Sequence, residues 1–424
     1  METNIKDKLY RIDKDHLKLL SDIGIVAEKT DLKAYLVGGM VRDILLGYEN
    51  LDIDIVVENN ASKLAEALVK RFPNCELSAK HDKFHTAKVI FNINGKKIPV
   101  DLASTREEIY EHPAALPTVS VSDLKKDLYR RDFTINALAV SILPHNFGEV
   151  ADLFHGLDDL KDKKIRVLHD LSFIDDPTRM IRAVRFAVKL GFEIEEHTKL
   201  LLNDAMKSGK FDNLIQKIRG DRVKIEIRYL FNLQNVEEAI KAFFESGIYK
   251  MISVNLKPCR GLSRQAPTNI LRDCSRQWLI YLAVIIKDLK TDEQEKILTN
   301  LQMTSDEIKI VNKGISTYSD LVNRSINITS VYQSLKHIPN ESVILINLLA
   351  KLENNEKIGS LIDEYIENIS KIKLNICGDD LIGLGVKEGK EIGKILDKIM
   401  ELKIKNPSMK KDDEIEEAKK LLKD

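Results

Sequence analysis

The stretch Leu36–Val57, LVGGMVRDILLGYENLDIDIVV, decides the reading of this chain. It begins as a short apolar strand, turns on Gly38 and Gly39, continues as a helical MVRDILL closed by Gly47, and ends on a β-branched run interrupted by Asp52 and Asp54. Glycines at a strand-to-helix turn let backbone N–H groups approach a phosphate, and the start of the following helix favours negative charge. Arg42 can clamp such a phosphate, with Asp43 orienting it. Asp52 and Asp54 stand two apart, which on a strand puts both side chains on one face. Two carboxylates there repel unless a cation sits between them, and a hard ion such as Mg²⁺ prefers oxygen ligands and phosphate partners. Asp101, in the apolar run IPVDLAST, can add a third carboxylate from a neighbouring strand. The plain alternative is the exposed face of an edge strand. The glycine pair, the Arg-Asp pair and the Asp-x-Asp together favour metal and phosphate chemistry.

Working outward, DHLKLLSDIGIVAEKT (15–30) has helical spacing of Leu and Ile, while TAKVIFNI (86–93) and IPVDLAST (98–105) read as strands. Asn94-Gly95 suits the positive φ angles of a type I′ hairpin turn. Beyond about residue 150 the strand signals fade into amphipathic, arginine-rich segments such as DPTRMIRAVRFAVKLGF and GDRVKIEIRYLFNL. The expected fold is α+β: a head with a mixed or antiparallel sheet, then helices.

Two further blocks carry chemistry. DLYRRDFTINALAV (127–140) pairs Arg130 and Arg131 with acidic neighbours. Planar guanidinium forks suit phosphate oxygens, so Arg130 and Arg131 are expected to face phosphates, with Asp127, Asp132 and Asn136 holding them or meeting a ribose. An amphipathic segment with a surface arginine pair is the alternative. FIDDPTRMIRAVRFAVKLGF (173–192) places Asp176 and Arg179 three apart, on one face of a helix begun at Pro177. Cytosine and adenine each present an amino donor beside a ring-nitrogen acceptor. A carboxylate and a guanidinium side by side match that pattern and reject uracil and guanine. A capping Asp with a surface Arg is the alternative. Arg182 and Arg185 continue along the helix within reach of triphosphate or RNA. Arg222 and Glu226, at i and i+4, read as an intrahelical ion pair.

These strings resemble the signatures of the polymerase-β-like nucleotidyltransferases, and specifically the bacterial tRNA nucleotidyltransferase (CCA-adding enzyme) and poly(A) polymerase family. GGMVRD with Asp-x-Asp matches the metal-binding block, RRDFTINA the RRDFTxNA motif, and DDPTR the (E/D)DxxR motif that templates the base. The resemblance implies that Asp52 and Asp54 bind Mg²⁺ and that Gly38, Gly39, Arg42 and the arginine blocks surround a nucleotide. It also implies that Asp176 and Arg179 choose CTP and ATP, and that tRNA is the acceptor. It implies a head (1–150), a helical neck (151–248), a body (249–350) and a tail (351–424). CGDDLIGLGVKEGKEIGKIL (377–396) is similar to the family's element near the tRNA elbow; a close helix crossing is the other reading of its glycines. Enzymes adding only the terminal A share much of the pattern, and a poly(A) polymerase is a further alternative. A non-catalytic tRNA-binding protein on the same scaffold would be expected to have lost a metal acid, yet Asp52 and Asp54 are both present.

Composition neither adds a nucleic-acid signal nor removes one. Sixty-six basic and sixty-six acidic residues cancel over 424 positions. The most cationic segment is 250–276, with six basic residues against Asp273 alone. Four scattered cysteines form no CxxC pair, which excludes a zinc ribbon and a disulfide framework. The charged amino-terminal stretch lacks a signal-peptide core, and the apolar run WLIYLAVII (278–286) is too short to span a bilayer. The expectation is a soluble cytoplasmic protein.

Overall fold

The computed structural model describes residues 4–81, 85–109, 118–258, 271, 274–387 and 389–422. They form two compact units that divide after Val254.

The first unit is built on a seven-stranded mixed sheet. After the short α1 (Lys6–Leu9), α2 (Lys14–Lys29) is capped by the Asp13 side chain, which accepts from the backbone of Asp15 and His16. The chain then enters β1 (Ala34–Val37), α3 (Gly39–Leu46), β2 (Ile53–Val57) and α4 (Ala61–Arg71). Strands β3 (Cys75–His81), β4 (Thr86–Ile93) and β5 (Lys96–Ser104) follow, then the hairpin β6 (Arg106–Ile109) and β7 (Thr118–Val121). Next come α5 (Leu124–Tyr129), β8 (Leu138–Ser141) and β9 (Val150–Asp152). The spatial order is β3-β4-β5-β2-β1-β8-β9. Among the described residues of this sheet only β2 and β5 pair in parallel, with Asp54 opposite Asp101. Asn94 and Gly95 both take positive φ in the β4–β5 turn, as the sequence predicts.

Two glycines shape the turn that decides the fold. Gly38 has φ of 75° between β1 and α3, and Gly47 ends α3 in the left-handed region. A side chain at either position would be strained. Helix α5 lays Leu128 on the sheet against Val37, Val56, Ala137 and Ala139. That packing brings Arg130 and Arg131 over the strand that carries Asp54.

Past the sheet come α6 (Gly156–Lys161), β10 (Lys164–Ile165), α7 (Ser172–Asp175), α8 (Thr178–Leu190), β11 (Glu193–Ile194), α9 (Glu196–Lys207), α10 (Gly220–Phe231) and α11 (Val236–Glu245). Helices α8, α10 and α11 pack on one another through Val184, Phe231 and Phe243 among other apolar residues.

The second unit is helical among its described residues. Trp278–Ile286 is buried within the Gln277–Ile286 helix, and no helix of the described residues is long and apolar enough to cross a membrane. Near the carboxyl end, Ile376, Leu381, Val386, Ile395, Ile399 and Ala418 form a small core. The charged run KKDDEIEEAKK reads as a solvated helix face, but Glu414 within it is fully buried. It accepts from the backbone of Asn375 and Ile376 and pairs with Lys403. Most of the cationic 250–276 segment lies outside the described residues, as does 110–117 in the connection from Asp101 to Asp127.

Candidate active site

A cleft of about 870 Å³ in the first unit gathers thirteen of the fifteen predicted site residues: Gly38, Gly39, Arg42, Asp52, Asp54, Arg130, Arg131, Asp132, Asn136, Asp176, Arg179, Arg182 and Arg185. The other two lie beside it. Asp101 lines an adjoining recess of about 400 Å³ that shares Asp54, Arg130 and Arg131 with the cleft. Asp127 is fully buried behind the arginines.

The acid pair differs from expectation in one respect. Asp54 lies within β2, but Asp52 precedes the strand. Its position comes from Asn50, whose Oδ1 accepts from the Asp52 backbone N–H at 2.9 Å while its Nδ2 donates to Asp43 at 2.7 Å. Asn50 thus joins the acid pair to the Arg42–Asp43 pair, and sequence reasoning missed it. Burial first, then the Asp101 carboxylate, holds the Asp54 carboxyl above its usual range. Neither Asp52 nor Asp54 is in an ion pair among the described residues. At Gly38 an added Cβ would stand 3.6 Å from both Asp54 and Arg131, so the glycine keeps this corner open.

The cations, by contrast, are all held. Arg42 donates to Asp43 (2.8 Å) and to Asn136 Oδ1 (2.7 Å). Arg130 donates to Asp127 (2.8 Å) and to Glu108 (2.9 Å), and Arg131 donates to the other Asp127 oxygen (3.0 Å). Burial alone would push Asp127 up, but the two guanidinium groups outweigh it and hold its carboxyl below the usual range. The Arg131 Nε–H is buried with no partner among the described residues.

Deeper in the cleft, Asp132 accepts from Asn136, from the Phe133 backbone and from Arg182 at 2.5 Å. Arg182 also donates to one Glu226 oxygen and Arg185 to the other, each at 2.9 Å. Burial opposes the charge on Asp132, yet Arg182 keeps its pKa low. Phe186 sits among three guanidinium groups, 5.0 Å from Arg42, 5.5 Å from Arg182 and 4.4 Å from Arg185. Its face stabilises the cluster through its quadrupole. Nothing in the local pattern separates Phe186 from an ordinary core residue of an amphipathic helix.

The base-reading pair is arranged differently from its spacing. Asp176 Oδ1 accepts from the Thr178 backbone and hydroxyl at the start of α8, and its Oδ2 accepts from Arg222 at 2.6 Å. Arg179 donates to Ser172 (2.8 Å) and to the Arg130 carbonyl (2.6 Å). The expected Arg222–Glu226 pair is therefore replaced by Arg222–Asp176 and by Glu226 with Arg182 and Arg185. Helix packing brought in stronger partners than the same helix offers. Asp176 keeps a spare lone pair and Arg179 spare N–H groups, and both line the cleft.

Comparison with known proteins gives the family. A family model for the Poly A polymerase head domain matches residues 34–166, and one for tRNA nucleotidyltransferase domain 2, putative, matches 272–417. An A-adding tRNA nucleotidyltransferase of Geobacter sulfurreducens is 33% identical over 95% of this chain and 47% of its own, so this chain spans about half the length of that relative. A CCA-adding enzyme of Ligilactobacillus salivarius is 30% identical over 92% of this chain and 93% of its own. The structure of a Thermotoga maritima CCA-adding enzyme complexed with tRNA superimposes with a TM-score of 0.77 at 29% identity, covering 99% of this chain and 98% of that one. Similarity that runs nearly end to end along both the Ligilactobacillus and the Thermotoga proteins places this chain in the family of CCA-adding and A-adding tRNA nucleotidyltransferases.

Proposed function

We propose that this chain transfers CMP and AMP from CTP and ATP to the 3′-hydroxyl of tRNA, building CCA without a nucleic-acid template and releasing pyrophosphate. The observation that carries the reading is the cleft itself: an acid pair, the three anchored arginines Arg42, Arg130 and Arg131, and the Asp176/Arg179 pair all line one cavity. The donor set fits Mg²⁺. Asp52 and Asp54 are hard oxygen ligands with no ion-pair partner among the described residues, and a divalent ion would offset the burial and the Asp101 repulsion that weigh on Asp54. Bound there, Mg²⁺ supplies charge stabilisation of the attacking and leaving oxygens.

The protein's own groups do the rest. Arg42, Arg130 and Arg131 enter already oriented by Asp43, Asn136 and Asp127, so little order is lost when they meet a triphosphate. Asp176 accepts from the amino group of cytosine or adenine, and Arg179 donates to the ring nitrogen. Uracil or guanine would leave both charged groups facing the wrong polarity. In this reading residues 1–150 are the catalytic head, 151–248 the base-selecting neck, 249–350 the body and 351–424 the tRNA-binding tail, working in the cytoplasm.

The names of the Geobacter relative and of an Aquifex aeolicus A-adding enzyme (34% identical over 87% of this chain, 44% of its own) favour a second reading, addition of the terminal A alone. One experiment separates them. tRNA ending at the discriminator base, or at CC, is offered each single labelled nucleotide. C incorporation on the shorter tRNA together with A incorporation on the CC-ended one supports full CCA addition, and C without A means CC addition only. Activity with ATP on CC-ended tRNA only selects the second reading, and no transfer to either rejects both.

A further inference from the structure

Beside the cleft, three charged residues stand in one row across the sheet. Asp54 on β2 lies opposite Asp101 on β5, and Asp101 lies opposite Lys88 on β4. Neighbouring strands are about 4.8 Å apart, so a side chain in this row reaches its neighbour directly. Lys88 Nζ is 3.0 Å from Asp101 Oδ2, and both residues line the recess that adjoins Asp54. Among the described residues, no three acid, His or Cys side chains converge on a common metal position. The Asp101 carboxylate is instead engaged by Lys88.

We propose that Lys88 is a built-in counter-ion that holds Asp101 in the cation-free protein and competes with the divalent ion for it. Asp101 then joins Asp52 and Asp54 only as Lys88 lets go. The inference rests on the metal reading given above. Its physical logic is a matter of strength. Two adjacent carboxylates across a parallel strand pair repel one another, and a lysine one strand further offsets that repulsion. The pair is substantially exposed, with relative side-chain exposure of 40% and 55%, so it is weak and easily exchanged. A lysine suits the task, being a flexible point charge; an arginine would grip the carboxylate with a bidentate fork.

The test uses Mn²⁺ alone, titrated into the nucleotide-free protein and followed by the electron paramagnetic resonance of the free ion. Lys88→Met is expected to bind Mn²⁺ about two- to five-fold more tightly than wild type, the scale of an exposed ion pair. The gain should vanish in the Lys88→Met/Asp101→Asn double variant compared with Asp101→Asn alone. Lys88→Arg, which keeps the charge, should bind no more tightly than wild type. Unchanged or weaker binding by Lys88→Met, or a gain that survives loss of Asp101, overturns the proposal. Asp54→Asn separates this from the parent reading. If that variant still binds Mn²⁺ like wild type, the metal assignment itself fails. If it loses binding while Lys88→Met is unchanged, only the role of Lys88 fails. Thermal melting without metal shows whether each variant is folded.

Discussion

The two walls of the cleft are built on opposite plans. On one, every arginine is tied: Arg42 to Asp43 and Asn136, Arg130 and Arg131 to Asp127, Arg182 and Arg185 to Glu226. On the other, Asp52 and Asp54 face the cavity with no ion-pair partner among the described residues. Arginines anchored in advance give a rigid frame, so a bound anion need not pay to order them. Bare acids leave room for an exchangeable partner. The contrast predicts that damage to the acid wall destroys chemistry with little loss of fold, whereas damage to the cationic wall destroys fold or selectivity.

Asp54→Ala should show the largest effect. On the proposed role of Asp54 as a metal ligand, its loss forfeits several kcal/mol of transition-state stabilisation, about 10³-fold or more in transfer rate, while the melting temperature holds or rises. Full activity in a labelled-ATP assay would refute the acid assignment. On the other wall, Glu226→Ala leaves Arg182 and Arg185 without their shared carboxylate. It is expected to cost about 3 kcal/mol of stability in denaturant unfolding, because breaking the buried pair strands Arg185, while Arg182 keeps Asp132. A loss below about 1 kcal/mol would mean that the frame is not held this way.

Arg179→Ala should lower the preference for CTP and ATP over UTP and GTP by about 10- to 100-fold, with Mn²⁺ binding unchanged. Equal damage to all four nucleotides would make Arg179 a structural anchor through Ser172 and the Arg130 carbonyl. Asn50→Ala, which frees the Asp52 backbone, is expected to cost about 1 kcal/mol, read as several-fold weaker Mn²⁺ binding. The smallest effect is in pH dependence. Asp127 and Asp132 have depressed pKa values in the fold, burial notwithstanding, because of Arg131 and Arg182 respectively. Their stabilisation is present above the unfolded carboxylate value of about 3.9 and is lost as pH falls through the lower folded values. Asp132→Asn should therefore flatten the acid limb of the stability curve by about one proton. An unchanged slope would show that Asp132 is not ionised in the fold.

Much of the head is legible in local pattern. The strand, glycine turn and helix of 36–47 stand as read, as does the Asn-Gly hairpin; the second strand does too, except that it starts at Ile53 and leaves Asp52 before it. The arginine, acid and asparagine residues proposed for the site converge as the family strings imply. Strands β3 and β8 escape because their side chains lack clean alternation; β8 is buried on both faces, which erases the period-two signal. The roles of Glu108, Asn50 and Phe186 escape because each depends on neighbours supplied by folding.

Spacing along the chain determined which residues share a helix face or a strand face, because helical and extended backbones have fixed repeats. Partnership was decided elsewhere. Arg42 meets Asn136 across 94 positions and Arg182 meets Asp132 across 50, while Arg222 passes over Glu226 on its own helix for Asp176 on the chain before α8. The strength of a charge pair depends on distance and on exclusion of water. Both are set by how the elements pack, and no single segment of sequence contains that information.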